Sequence, residues 1–469
     1  MKVMKFGGSC LQSAAGLKRL LELVAREPRP VAIVLSALKG VTDDLIALTE
    51  AAAGGAAPEQ ESRLHDLRKR HEEALQGLDA EPRAAAERSV DALFSELLDL
   101  LRGVRFLKEA PLRARDQITS IGERLSVALA TEHLRAANLP AVSKVADEAG
   151  IVTTREPGDA RILDESFALA RARLPEDQDV VFVVTGFIGR DHDGRITTLG
   201  RGGSDYTATF LASALGGPCI LWKDTPGLLT ADPRVVANTR VIERIGYLDA
   251  LELAHYGLQA VAEKALYPAM KAGTPIEIRS FADGTAPTVI GPDATDALAI
   301  SWVRDVAMVD LVDLEPDESV RGRVLRSLAS VLEVFASAGT YPLLVTEASP
   351  RGETTIALKA AHLAQAREAL SHPVAGISAS VRTGLSAVSL IGSGMRGRIG
   401  FAASVFETLA RARVNIVAIA QTASERNISV VVARDQAEEA VRALHARFVT
   451  PGSPRGGAPR GGPGAEPPN

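Results

Sequence analysis

The chain has 469 residues, room for two to four domains at roughly 100–200 residues each. Apolar residues make up 46% and the formal net charge is −5, so real cores can form and no basic field invites nucleic acid or an anionic membrane. Cys10 and Cys219 are too few for a disulfide framework, no run approaches the ~20 apolar residues of a membrane span, and "MKVMKFGGSC" lacks a signal-peptide core, so a cytoplasmic protein is expected.

From the start to about residue 300, short Val/Ile-rich runs alternate with helical patterns. The runs are "KVMKF", "VAIVLSA", "VVFVVTGF", "CILWKD", "PIEIRS" and "ALAISWV". They are apolar throughout, which suits strands covered on both faces. Separated by helices, they predict an α/β fold, with a mainly parallel open sheet sandwiched by helices. Residues of about 56–112 lack strand signals and read as a helical insertion with a charged, solvated face.

Three stretches in this region share one form: strand, polar glycine-bearing turn, helix. They are Lys5-Phe6-Gly7-Gly8-Ser9, then Ser36 to Thr42, then Gly200 to Asp205. Glycine lets backbone N–H groups face a ligand with no Cβ in the way. A helix N-terminus adds unpaired donors and partial positive charge. Lys5, Lys39 and Arg201 add full charges. In an open parallel sheet such turns gather at the carboxyl ends of the strands. The combination describes a site for phosphates and carboxylates. Each stretch alone is as consistent with an ordinary turn; three at equivalent places are harder to explain that way. Asp205 alone could cap a helix, but beside Arg201 an ion-organising role is the better reading.

Beyond about residue 304 the texture changes. "RGRVLRSLASVLEVFASAG" from Arg321 and "RGRIGFAASVFETLARARV" from Arg396 each hold Arg-Gly-Arg, then Ser-Val and a glutamate. Each precedes two strand-like runs, "YPLLVTEA" with "TTIALKA" and "NIVAIAQTA" with "NISVVVA". They predict two copies of a small αβ module, over 301–380 and 381–449. Residues 450–469 are Pro/Gly-rich and expected to be disordered. No Gly-x4-Gly-Lys-Ser/Thr is present, which excludes a P-loop enzyme. Gly392-Ser393-Gly394-Met395-Arg396-Gly397 fits a dinucleotide pattern, but no acid is placed for a ribose, so it reads as a loop of the second module.

These residues resemble the aspartate kinases of the amino acid kinase superfamily. "VMKFGGSC", "SALKGVTDDL", "SIGERLS", "GFIGRDHDGRITTLGRGGSDYTA" and "WKDTPGLLTADPRVV" are similar to that family's motifs, and the repeats are similar to its paired ferredoxin-like ACT domains. The resemblance implies transfer of the γ-phosphoryl of ATP, with Mg²⁺, to the β-carboxylate of L-aspartate. A carboxylate, with a reference pKa of about 3.9, needs no general base, only charge neutralisation and in-line positioning. By the same resemblance, Lys5 holds the transferring phosphoryl and Asp205 orients Lys5. Gly7, Gly8 and Gly203 donate N–H groups, with Ser9 beside them. Arg201 grips an aspartate carboxylate and Glu123 its ammonium, with Thr42 and Ser204 completing the pocket. Asp224 and Arg234 contact ATP. No protein ligand set for a metal is expected.

The nucleotide side departs from the family. A phosphate-binding lysine is replaced by Gln259, an aromatic by Leu229, and a threonine by Lys223. Lys223 either substitutes for the missing lysine or is simply exposed. Where lysine-inhibited members carry an acid, the first module reads Thr340-Tyr341-Pro342-Leu343, and an expected Ser-Glu is Ala348-Ser349. The second module keeps Asn415, Gln421 and Asn427. A homodimer or homotetramer is expected, with threonine, lysine or neither as effector. Two alternatives stand beside this reading: a kinase for another carboxylate, of acetylglutamate or glutamate type, and an amino-acid-sensing homologue with impaired catalysis.

Overall fold

The computed structural model describes residues 1–258, 260–282, 284–293, 295–313, 320–337, 339–347, 353–370 and 377–450. The chain forms two compact units, one of Met1–Leu228 with Ala260–Pro292, the other of Leu229–Gln259 with Asp293 onward.

The first unit is built on β1 (Lys2–Phe6), β2 (Val31–Leu35), β3 (Ala141–Lys144), β4 (Val181–Thr185), β7 (Cys219–Lys223), β9 (Ile276–Ser280) and β10 (Thr288–Gly291). Within this unit they run in the order β3-β4-β2-β1-β7-β9-β10. All neighbours are parallel except the β9–β10 pair. β5 (Ile188–Arg190) and β6 (Ile196–Thr198) form a separate hairpin. Every residue of β2 and β4 is buried, as expected of apolar strands covered on both faces.

The helices are α1 (Gly8–Leu11), α2 (Ala14–Ala25), α3 (Val41–Gly54), α4 (Ala57–Glu73), α5 (Ala80–Leu107), α6 (Leu112–Ala136), α7 (Ser166–Arg173), α8 (Gly203–Ala214) and α10 (Glu263–Ala272). Met4 and Phe6 face one way, into a core with Leu20 of α2, Leu45 of α3, Leu101 of α5 and Ile121 of α6. Strand alternation turns Val3 and Lys5 to the opposite face, where Lys5 meets Asp205 of α8. α4 and α5 are the long helices of the insertion, and their exposed positions carry ion pairs such as Arg83–Glu87.

The second unit holds β8 (Arg244–Gly246) and α9 (Tyr247–His255), then β11 (Ala299–Asp313), α11 (Val320–Ser337), β12 (Leu344–Glu347), β13 (Thr354–Lys359) and α12 (Leu363–Leu370). β14 (Ile377–Ile391), α13 (Phe401–Arg411), β15 (Ile416–Ala420), β16 (Asn427–Ala433) and α14 (Ala437–Phe448) follow. Six strands form an antiparallel sheet in the order β12-β13-β11-β14-β16-β15. β11 serves three cores, the third formed by Val306 and Met308 with Leu343, Leu385 and Val431. Val309 and Leu311 pack with Val331 and Phe335 of α11. Ile300 packs with Val405 of α13 and Leu444 of α14.

Two sequence expectations need correction. "ALAISWV" is not a strand of the parallel sheet: it opens β11, and Ala299–Val303 pair with Ala387–Ile391 of β14. Uniform apolarity marks burial, not the sheet a strand joins. The two Arg-Gly-Arg motifs also differ in structure. The first lies inside α11, whereas the second forms a turn before α13, with Gly397 and Gly400 at φ +64° and +79°. Leu325 stands in the first copy where Gly400 stands in the second, so the helix runs on. Of the tail, residues from 451 on lie outside the described residues, as do Gln259, Ala348 and Ser349. No helix of the described residues is long and apolar enough to cross a membrane.

Candidate active site

The register of the parallel sheet gathers the reactive side chains. Lys5 pairs with Val34 of β2 and Leu221 of β7, so the ends of these strands lie side by side. Gly7 and Gly8 follow β1, residues 36–40 follow β2, and Lys223 is the last residue of β7. Gly8 is needed where it stands, because a Cβ there would lie 2.5 Å from the carbonyl oxygen of Ala37. The two turns therefore touch backbone to backbone, and Lys39 N–H donates to Gly8 O at 3.2 Å.

The third turn enters from the opposite face. Gly202, with φ +75°, starts α8, and Asp205 lies in its first turn. Asp205 is 5% exposed and holds two ammonium groups: Lys5 Nζ at 2.9 Å from Oδ1 and Lys223 Nζ at 2.6 Å from Oδ2. Burial opposes ionisation of Asp205, but Lys223 and Lys5 outweigh it and hold its pKa at about 2. Burial also pulls the Lys223 ammonium below its ordinary value, against the pull of Asp205. Two cations and one anion leave a net positive charge in a nearly dry place, which suits a phosphate group. Lys223 is thus not a solvated surface residue.

Glu123 approaches from α6. Gly122 allows it, since a Cβ there would sit 2.8 Å from Ala37 Cβ. Ala37 N–H donates to Glu123 Oε1 at 3.1 Å, while Oε2 is buried with no hydrogen-bond partner among the described residues. Burial pushes the Glu123 carboxyl up to about 8, with the Ala37 N–H and the charge of Lys5 acting against it. An unsatisfied buried carboxylate oxygen is a place for a ligand cation or donor.

Thr42, in the first turn of α3, lines a cavity of 210 Å³ with Asp116, Thr119, Phe187 and Thr198. Ser204 packs so closely on Gly186 that a Cβ there would come 2.6 Å from Ser204 Cβ. Arg201 is exposed in the turn before α8 and forms no ion pair with a described residue. Ser9 is half-buried beside Gly7, and Gly203 opens α8. Asp224 is exposed just past β7. Arg234 belongs to the second unit, where it is exposed and bonds Asp232 through Nε at 3.0 Å and Nη2 at 2.8 Å.

Sequence reasoning passed over Asp116 and Phe187. Asp116 is buried and accepts from Thr198 Oγ1 at 2.7 Å and from Gly158 N–H at 3.1 Å, fastening the segment ahead of the third turn to α6. Its partners lie 42 and 82 residues away, so no local pattern signals it. Phe187 adopts φ +67°, a rare conformation for an aromatic residue, directly after a glycine.

The pattern of the amino acid kinase family matches residues 1–280, and that of an ACT domain matches residues 388–448. Aspartokinase 1, chloroplastic, of Arabidopsis thaliana is 31% identical over 96% of this chain and 80% of its own length. The chain belongs to the aspartokinases of the amino acid kinase family. Among solved aspartokinases, the structure of E. coli aspartokinase III in complex with aspartate and ADP (R-state) superposes with a TM-score of 0.80 at 26% identity, covering 95% of this chain and 99% of that one. The same relative in complex with lysine and aspartate (T-state) gives 0.76 at 28% identity, covering 96% and 100%. The amino acid kinase pattern spans all three glycine turns and both lysines that meet Asp205.

Proposed function

We propose that this chain transfers the γ-phosphoryl of ATP to the β-carboxylate of L-aspartate, giving 4-phospho-L-aspartate, the first step toward lysine, threonine and methionine. The observation that carries the proposal is the Lys5–Asp205–Lys223 bridge at the carboxyl ends of β1 and β7. The acceptor oxygen attacks the γ-phosphorus while the bond from that phosphorus to the β,γ-bridging oxygen breaks, and ADP leaves. The acceptor is already an anion, so no proton is removed from it. What the protein supplies is position and positive charge.

In this reading Lys5 sits at the transferring phosphoryl and Asp205 fixes its ammonium. Lys223 lies on the nucleotide side and takes the part that Gln259 cannot. The N–H groups of Gly7, Gly8 and Gly203 face phosphate oxygens, with Ser9 adjoining. Arg201 grips a carboxylate of aspartate, Glu123 receives its ammonium, and Thr42 and Ser204 close the pocket. Asp224 contacts the nucleotide. Magnesium enters as part of the substrate, held by nucleotide oxygens and water. Both Asp205 oxygens already meet lysines.

The same proposal places the protein in the cytoplasm as a homodimer or homotetramer. It gives the ACT modules to an amino-acid effector, as the lysine-bound relative suggests. A hydroxamate assay with aspartate, N-acetylglutamate and glutamate tests the reaction. Product from aspartate alone is expected. Product from another acceptor, or none from aspartate, overturns it.

A further inference from the structure

Lys264 stands in the first turn of α10 and has no part in the reaction as proposed. Its ammonium bonds the carboxylate of Asp159 and reaches the Leu199 carbonyl oxygen at 3.4 Å. Both partners adjoin the turn that carries Arg201. A Cβ on Gly200 would lie 2.6 Å from Asp159 Oδ1 and 3.1 Å from the Gly158 carbonyl oxygen. A Cβ on Gly202 would lie 2.1 Å from Ala262 Cβ. Gly200 and Gly202 have φ +73° and +75°, so the turn is confined both by its backbone conformation and by walls on two sides. Arg201 is the one residue between them with a side chain to project.

That arrangement sets an acid beside the turn that carries the cation. The Asp159 side chain is 70% exposed, and its carboxylate abuts Gly200, well within the span of an arginine one residue along. Left unneutralised, Asp159 would compete with a substrate carboxylate for the same guanidinium, and Arg–carboxylate pairing is strong when bidentate. Lys264 removes the competition by occupying Asp159, and its second bond holds the backbone at Leu199. We infer that Lys264 is a positioning residue: it engages Asp159 and thereby keeps Arg201 available for the acceptor. The inference rests on the reading of Arg201 as the acceptor's grip.

The test is steady-state kinetics of the full chain, varying L-aspartate and ATP separately. Lys264→Met raises KM for aspartate about three- to tenfold, while kcat and KM for ATP stay within about twofold. Lys264→Arg keeps the wild-type values. Asp159→Asn has little effect alone, and added to Lys264→Met it restores KM for aspartate. A general loss of structure would raise both KM values and would not be repaired by removing a second charge. An unchanged KM for aspartate in Lys264→Met, or no repair in the double variant, overturns the inference. Arg201→Met separates the two levels. If it leaves KM for aspartate unchanged, the acceptor assignment itself fails; if it raises KM while Lys264→Met does not, only the part given to Lys264 fails.

Discussion

Lys223 Nζ lies 2.6 Å from Asp205 Oδ2, so the last residue of β7 shares one carboxylate with Lys5 of β1. An aspartate that holds two cations fixes their separation as well as their direction. If Lys223 serves the nucleotide, Lys223→Met raises KM for ATP about tenfold or more and moves KM for aspartate far less, since charge-assisted bonds are worth about 1.5–3 kcal/mol. Equal changes in both, or none, would discard that role.

Loss of Asp205 is a harsher change than loss of either lysine. Asp205→Ala leaves two ammonium groups facing each other with no counter-ion, and breaking a buried pair in this way costs about 3–5 kcal/mol. Thermal unfolding of Asp205→Ala is expected well below that of Lys223→Met, and its kcat falls by orders of magnitude. A variant that melts normally and turns over aspartate at full rate refutes the bridge.

The pH dependence of stability has opposite signs at Glu123 and Asp205. The Glu123 pKa is raised from 4.5 to about 8 in the fold, so between those values the folded state binds a proton that the unfolded chain releases. Its contribution is complete below pH 4.5 and is lost as pH rises toward 8. Asp205 falls from 3.8 to about 2, so its contribution is present above 3.8 and lost only as pH drops through 2. Denaturant midpoints between pH 5 and 8 should decline less for Glu123→Gln than for the wild type. Identical slopes would show that Glu123 ionises normally.

Asp249 offers a test confined to the second unit. It is fully buried on α9 and accepts from Arg426 Nη1 at 2.7 Å, Ser393 Oγ at 2.6 Å and Ser393 N–H at 3.2 Å. Asp249→Ala strands the Arg426 charge and should destabilise by about 3–5 kcal/mol, whereas Asp249→Ala with Arg426→Met should recover much of that loss. The double variant melting no higher than the single one would mean that the charge pair is not what holds α9.

Much of the candidate site was readable because its residues sit in short motifs with a backbone reason. Gly8 and Gly202 mark places where a Cβ would collide, and Lys5 Nζ lies 3.6 Å from where a Cβ on the neighbouring Gly7 would sit. Strand identity was legible too, for β2 and β4 are apolar without interruption. What escaped depends on distant partners. Asp116 looks like any helix aspartate until Thr198 is folded against it, and Lys264 resembles a surface lysine until Asp159 arrives. "ALAISWV" reads as a strand of the parallel sheet yet joins β14, because apolarity reports how deep a strand lies and not which strands flank it. Lys223 was undecided, since a lysine at a strand end is equally suited to solvent or to a buried acid.

The two longest strands carry a mechanical consequence. β11 and β14 are each 15 residues, about 50 Å at ~3.3 Å per residue, and they pair almost end to end. Their register shifts twice in succession, between Val303 and Val306 and between Val306 and Met308, opposite a stretch that holds Gly384 at φ +75°. The β11–β14 ribbon therefore resembles a stiff beam with one flexible stretch near its middle, and a load applied to either half should bend the ribbon there first.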